Sequence, residues 1–192
     1  MSTPQMPTDV GRVISLKNAA NQGALDEALR AEYETGLHSR LADRRRMEAT
    51  WDASYLVLAR EVKLNSVLQT AIMLLHCEHG ALTMIDQKAA MLVKINVPPV
   101  SFDIKDSYCQ HVSDGTPFRV DDAEGNSLVC TVSGTTELGM RSYLGVPIVF
   151  DAMVVGSLCV FDMQVREWTT GDVRVLAALA QTVEQVLTER DR

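Results

Sequence analysis

The sequence predicts an α+β domain in which a central antiparallel sheet is covered by helices from the two ends of the chain. Three observations carry this reading. The elements run helices, hairpin, irregular middle, hairpin, helix. The second hairpin is apolar on both faces, so each face needs a covering layer. The last segment has near-ideal helical spacing.

Residues 1–20 mix Pro4, Pro7 and Gly11 with polar residues and read as a flexible arm. Within 21–48, Leu25, Leu29, Tyr33, Leu37 and Leu41 recur every fourth residue between charged neighbours. Such a narrow apolar stripe suits packing against another helix, from the same domain or from a second copy. Helix continues through Trp51, Tyr55, Leu56, Leu58 and Val62. After Asn65 a further helix is apolar on most sides and is expected to be buried.

Gly80 breaks that helix, and strands follow over 81–86 and 90–97 around a turn at Asp86-Gln87-Lys88. In the second strand, Met91, Val93 and Ile95 alternate with Leu92, Lys94 and Asn96, and Pro98-Pro99 ends it. The middle, 100–142, is irregular, with a short helix expected over 106–113 and a short strand over 117–121. Asp121-Asp122-Ala123-Glu124 is a candidate start for another short helix, and Gly134 and Gly139 bracket a loop.

The clearest hairpin pairs 141–150 with 153–162. Leu144, Val146, Ile148 and Phe150 share one face, and Tyr143, Gly145, Pro147 and Val149 the other. The closing helix runs from about 170 to 189, with Val173, Leu176, Val183 and Leu187 on its apolar face. Thr169 and Asp172 have the spacing of a capping box.

Composition narrows the function. Net charge is −7 at pH 7 and the pI is about 5.1, which argues against nucleic acid as a partner. The one dense basic run, Arg44-Arg45-Arg46, lies among acidic residues and reads as a solvated helix face. No apolar run is long enough to cross a bilayer, and the N-terminal residues lack the pattern of a secretory signal. A cytoplasmic location with no membrane contact is therefore expected. Cys77, Cys109, Cys130 and Cys159 are widely spaced, which fits free thiols rather than a disulfide scaffold or structural zinc site. His76-Cys77-Glu78-His79 is the most metal-like cluster, but its place at a helix end favours a capping role. No serine-nucleophile motif, phosphate-binding glycine loop or carboxylate dyad is present.

Four segments together resemble the GAF family: Tyr108–Ala123, the Gly-Val-Pro strand within Arg141–Phe150, the Gly-x-Leu-x-Val strand within Val154–Asp162, and the closing helix within Trp168–Leu187. With the first hairpin the likeness runs from about 50 to 190. It implies a GAF domain over 49–192, with terminal helices on one sheet face and a short-helix and loop segment closing a pocket on the other. It also implies dimers formed through terminal helices, which assigns the helix in 21–48 to dimerisation. The asparagine-lysine-phenylalanine-aspartate-glutamate signature of cyclic-nucleotide-binding members is absent. Cys109-Gln110-His111 departs from the adjacent Cys-His pair of bilin-binding members.

The expected function is that of a non-catalytic sensor, binding a small molecule or redox signal, acting as a homodimer on a protein output partner and requiring no cofactor. Candidate pocket residues are Phe102, Tyr108, His111, Asp121, Met140, Tyr143, Cys159 and Phe161. Two alternatives remain: an interaction scaffold with a filled pocket, and a thiol-dependent free methionine sulfoxide reductase using Cys109 and Cys130.

Overall fold

The computed structural model describes residues 10–86, 88–98 and 102–189. Among the described residues four helices come first: α1 (Val10–Asn21), α2 (Glu27–Leu41), α3 (Arg44–Ala59) and α4 (Glu61–Leu75). Strands β1 (His79–Ile85) and β2 (Lys88–Ile95) follow, then β3 (Phe102–Asp103), two 3-10 turns (Ile104–Asp106 and Tyr108–Val112) and β4 (Phe118–Val120). The short helix α5 (Ser133–Thr136), the hairpin β5 (Ser142–Phe150) and β6 (Met153–Asp162), and α6 (Thr170–Thr188) complete the order. The strands form one sheet in the order β3-β2-β1-β6-β5-β4, and all its pairings are antiparallel. The α+β class read from the sequence holds.

Strand alternation divides the buried residues between two cores. Leu82, Met84, Leu144, Val146, Ile148, Leu158 and Val160 point to a layer made by α3, α4 and α6. Ala81, Ile85, Tyr143, Cys159 and Phe161 point the other way, beneath the irregular middle and α1–α2. A register shift between Leu82 and Thr83 alters this alternation on β2. Leu82 pairs with Val93 and Thr83 with Met91, leaving Leu92 as the extra residue. Val93 therefore joins the helix-side core while Met91 packs on the opposite side, against the single-face grouping expected from the sequence.

The helix boundaries have local causes. Asp26 accepts a hydrogen bond from Leu29 N at 2.9 Å and starts α2, and Asp43 accepts one from Arg46 N at 3.0 Å and starts α3. His76 adopts the left-handed conformation at φ 51° and ends α4. The capping box forms as read: Asp172 N donates to Thr169 Oγ1 at 3.1 Å, and Thr169 N donates to Asp172 Oδ2 at 2.8 Å.

Expectations change at four places. The arm expected over 1–20 is helical from Val10, with residues 1–9 outside the described part, because Leu16, Lys17 and Ala20 find buried partners on the middle segment. The α2 stripe is occupied within the chain: Tyr33, Leu37 and Leu41 are buried in the core on the pocket side of the sheet. Arg46 is buried rather than solvated. Its guanidinium donates to Arg40 O at 3.1 Å, to Leu41 O at 2.7 Å and to Ile85 O, joining the end of α2 to the end of β1. Asp121-Asp122-Ala123-Glu124 forms turns rather than a helix.

Gly145 shows how tightly the second core is fitted. A Cβ there would fall 2.2 Å from the Tyr143 hydroxyl and 2.7 Å from its ring. Gly145→Ala should therefore cost about 1–3 kcal/mol of stability by overpacking. Tyr143→Phe in the same chain, by removing the nearest atom, should recover part of that loss. Urea denaturation of the four combinations checks this; strictly additive costs would show that the two residues do not compete for space.

Candidate functional site

The cavity between the sheet and the irregular middle is built from both. Thr83, Ala89, Met91, Tyr143, Cys159 and Phe161 form its sheet side, and Phe102, Asp106, Ser107, Tyr108, Cys109, Gly134, Leu138 and Met140 its roof and rim. Its volume is about 40 Å³, room for on the order of three waters. Six of the sequence-derived candidates line it: Phe102, Tyr108, Met140, Tyr143, Cys159 and Phe161.

Polar side chains lash the roof together. Asp106 accepts from Ser133 N at 3.0 Å and from the Ser133 hydroxyl, tying the first 3-10 turn to α5. The Tyr108 hydroxyl bonds Thr135 Oγ1 at 2.6 Å, and Thr135 in turn donates to Val129 O at 2.5 Å. Burial pushes the Tyr108 hydroxyl up to about 12, so it stays protonated and donates.

Two thiols line the cavity wall. Cys109 lies on the roof side of the cavity and Cys159 on its sheet side. Cys159 donates to Ala81 O at 3.4 Å. The Tyr143 hydroxyl stands 3.6 Å from Cys109 Sγ and 3.3 Å from Ser157 Oγ. The Cys159 thiol beside Cys109 pulls its pKa below the ordinary thiol value, opposed by burial and helped by the Tyr143 hydroxyl. The same contact raises Cys159 well above it, with burial adding to the effect. The two environments thus push the thiols apart, Cys109 downward and Cys159 upward.

His111 and Asp121 are placed away from this cavity. His111 is buried on the far side of its 3-10 turn, where Nδ1 shares a 2.9 Å hydrogen bond with the Tyr33 hydroxyl. Its ring stacks on Tyr33 at 5.7 Å and lies 4.5 Å from Phe118. As a polar residue within the pocket segment His111 reads as a ligand group, but the turn aims it at α2. Asp121 anchors the approach to α6, accepting from Trp168 N at 3.0 Å. Sequence reasoning missed Cys109 as a wall residue paired with Cys159, linking it instead to Cys130. The alternation that aimed Cys159 at this face was the available signal.

Lys17 of α1 closes the far side of the roof. Its ammonium donates to His111 O at 2.5 Å and to Thr116 Oγ1 at 2.7 Å, and pairs with Asp114 at 2.8 Å. Burial draws its pKa down to about 8 despite the opposing pull of Asp114. Cys77 lies elsewhere, beneath Arg166, and burial raises it to about 12. Among the described residues no group of three or more His, Cys, Asp or Glu is arranged to hold a metal. None of the described helices is long and apolar enough to cross a membrane.

A family model for the GAF domain matches residues 59–187. The chain belongs to the GAF family. Similar solved structures include the blue-light absorbing form of the PixJ GAF domain of Thermosynechococcus elongatus. It is 19% identical, with a TM-score of 0.57 over 69% of this chain and 86% of that one. A GAF domain from an Acinetobacter phosphoenolpyruvate-protein phosphotransferase is 14% identical, with a TM-score of 0.54 over 76% and 94%. The type II free methionine-R-sulfoxide reductase of Thermoplasma acidophilum is 13% identical, with a TM-score of 0.53 over 65% and 92%. At these identities the likeness is one of fold. None of the curated proteins matches the chain. GAF domains are generally regulatory or sensory, and α1 and α2 lie outside the matched residues.

Burial holds the His111 pKa down to about 3, with Lys17 and the nearby arginines adding to the effect. The unfolded chain therefore binds a proton below about pH 6.5 that the folded chain refuses, and stability falls as pH drops through that window towards 3. The stability of the native protein relative to His111→Gln should decrease by about 2 kcal/mol between pH 7 and pH 5. Urea denaturation at the two pH values measures it; an unchanged difference would mean that His111 is not held neutral.

Proposed function

We propose that this chain is a non-catalytic GAF regulatory module that senses a molecule of a few atoms, or a redox signal, in the cavity beneath the 3-10 roof. The observation that carries this reading is the roof itself: it lies between the cavity and the α1–α2 pair. A change in what the cavity holds therefore bears on helices that touch the other side of the same short segment. The small volume argues against free methionine sulfoxide as a substrate, since an entire amino acid would have to displace the roof. It equally favours a second reading, in which the cavity is core and the chain is an interaction scaffold.

Native mass spectrometry of the freshly purified protein separates the two. A mass excess lost on denaturation supports the sensor reading. The bare chain mass, together with no thermal shift from small gases, anions or peroxide, would remove it in favour of the scaffold.

Homodimerisation belongs to the same proposal, with its seam moved off α2. Trp51, Tyr55, Leu58 and Val62 are exposed at successive spacings of four, three and four, and Met73 and Leu74 extend the apolar surface along α4. Such spacing suits a helix-to-helix seam between copies. Tyr55→Glu with Val62→Glu should convert the dimer to monomer in light scattering without lowering thermal stability of the monomer unit. A dimer that survives both changes would place the interface elsewhere. A protein output partner completes the proposal, as the route by which the regulatory state is read.

A further inference from the structure

We propose that Cys109 and Cys159 form a peroxide-responsive dithiol whose oxidation to a disulfide pulls the roof of the cavity onto the sheet. The geometry supplies four requirements. Both thiols line the same cavity, Cys109 from the roof and Cys159 from the sheet, and the Tyr143 hydroxyl of the same sheet face stands 3.6 Å from Cys109 Sγ. That cavity, at about 40 Å³, admits hydrogen peroxide and little larger. One sulfur ionises ahead of the other, giving an attacking thiolate and a neighbouring thiol. Finally, the two cysteines sit on elements of different stiffness. Cys159 is on β6, which is paired on both sides, by β1 and β5; Cys109 is on a five-residue 3-10 turn.

The chemistry balances with hydroperoxide as the oxidant. The Cys109 thiolate attacks one peroxide oxygen and the O–O bond breaks. Cys109 becomes a sulfenic acid, and the departing hydroxide leaves as water with the proton that Cys109 had released. The Cys159 sulfur then attacks Cys109 Sγ, the S–O bond breaks, and hydroxide leaves as water with the Cys159 proton. Two thiols and one peroxide give one disulfide and two waters, the sulfurs losing the two electrons that the peroxide gains.

A disulfide S–S distance of about 2.05 Å is much shorter than any non-bonded approach of two thiols. The 3-10 turn must move towards β6 to close it. That turn carries His111, whose carbonyl holds Lys17 of α1 and whose ring and Nδ1 hold Tyr33 of α2. Bond formation therefore strains the two contacts that seat α1 and α2. Cys77 and Cys130 do not share the arrangement. Cys77 is kept protonated by burial under Arg166, and Cys130 is not among the cavity-lining residues. The proposal rests on the regulatory reading above for its consequence, not for its chemistry.

The test treats the purified chain with one equivalent of hydrogen peroxide, followed by non-reducing peptide mapping and hydrogen exchange. The expected product is a Cys109–Cys159 cross-linked peptide two mass units below the sum of its parts, reversed by dithiothreitol. Cys159→Ser should instead trap Cys109 as a sulfenic acid that a dimedone probe labels, and Cys109→Ser should give neither product. Exchange in α1 and α2 should rise on oxidation of the native chain and stay unchanged in Cys109→Ser. Oxidation at Cys130 or Cys77 with Cys109 left reduced would overturn the assignment while leaving a ligand-regulated module intact. A cross-link formed with unchanged exchange in α1 and α2 would overturn the switch.

Discussion

The second hairpin is buried on both faces, and the rest of the structure follows from having to cover both. The helix-side face is simple to satisfy. Leu144, Val146, Ile148, Leu158 and Val160 meet three helices whose backbone bonds are made within themselves. The opposite face, carrying Tyr143, Cys159 and Phe161, is covered by chain with little regular structure. Backbone groups there need partners from outside any ladder. The roof finds them through side chains: Asp106 on Ser133, Thr135 on Val129 O, and Lys17 on the carbonyls of His111 and Thr116.

That way of covering the second face explains why the cavity lies where it does. Aromatic rings run in series from Tyr33 through His111 and Phe118 to Tyr143 and Tyr108. Rings of this size cannot fill every gap over a sheet face whose own positions include Thr83, Ala89 and Gly145. The residual space forms beside the largest of them, and the two thiols line it. Their shared place on its wall is a consequence of sheet alternation at Cys159 and of the 3-10 turn that carries Cys109.

Local signals in the sequence were sufficient for the hairpins, the capping box at Thr169 and the closing helix, because each is written in neighbouring residues. Alternation also aimed Tyr143, Cys159 and Phe161 at one face and so found much of the cavity wall. What local pattern could not show was partnership at long range. Lys17 looks like a surface residue until His111, Asp114 and Thr116, more than 90 positions away, enclose it. The α2 stripe is equally compatible with a second copy and with the chain's own roof, and only the fold decides for the roof. Leu92 as a bulge residue breaks a period that reads as unbroken, and His111 depends on the direction of a single 3-10 turn. Pairing Cys109 with Cys130 follows proximity along the chain, whereas the thiol that shares its cavity comes from a strand 50 positions later.

The layers on the two faces meet at few places, and this limits how a change in the cavity can reach the exposed stripe on α3. The sheet between them is held by continuous antiparallel pairing through β1, β6 and β5, so displacement through it is costly. Around its edge the route is short. Arg46 lies in the first turn of α3 and binds the last carbonyls of α2 and the last carbonyl of β1 together. Its guanidinium is buried, and three acceptors satisfied by one side chain cannot separate without leaving polar groups unpaired. A shift of α2 on the roof is therefore opposed at its far end by Arg46 and transmitted to the start of α3. In the proposed switch, the roof, α2 and Arg46 supply the route from the thiol pair to the seam between copies, and of these α2 and Arg46 precede the part of the chain matched by the family.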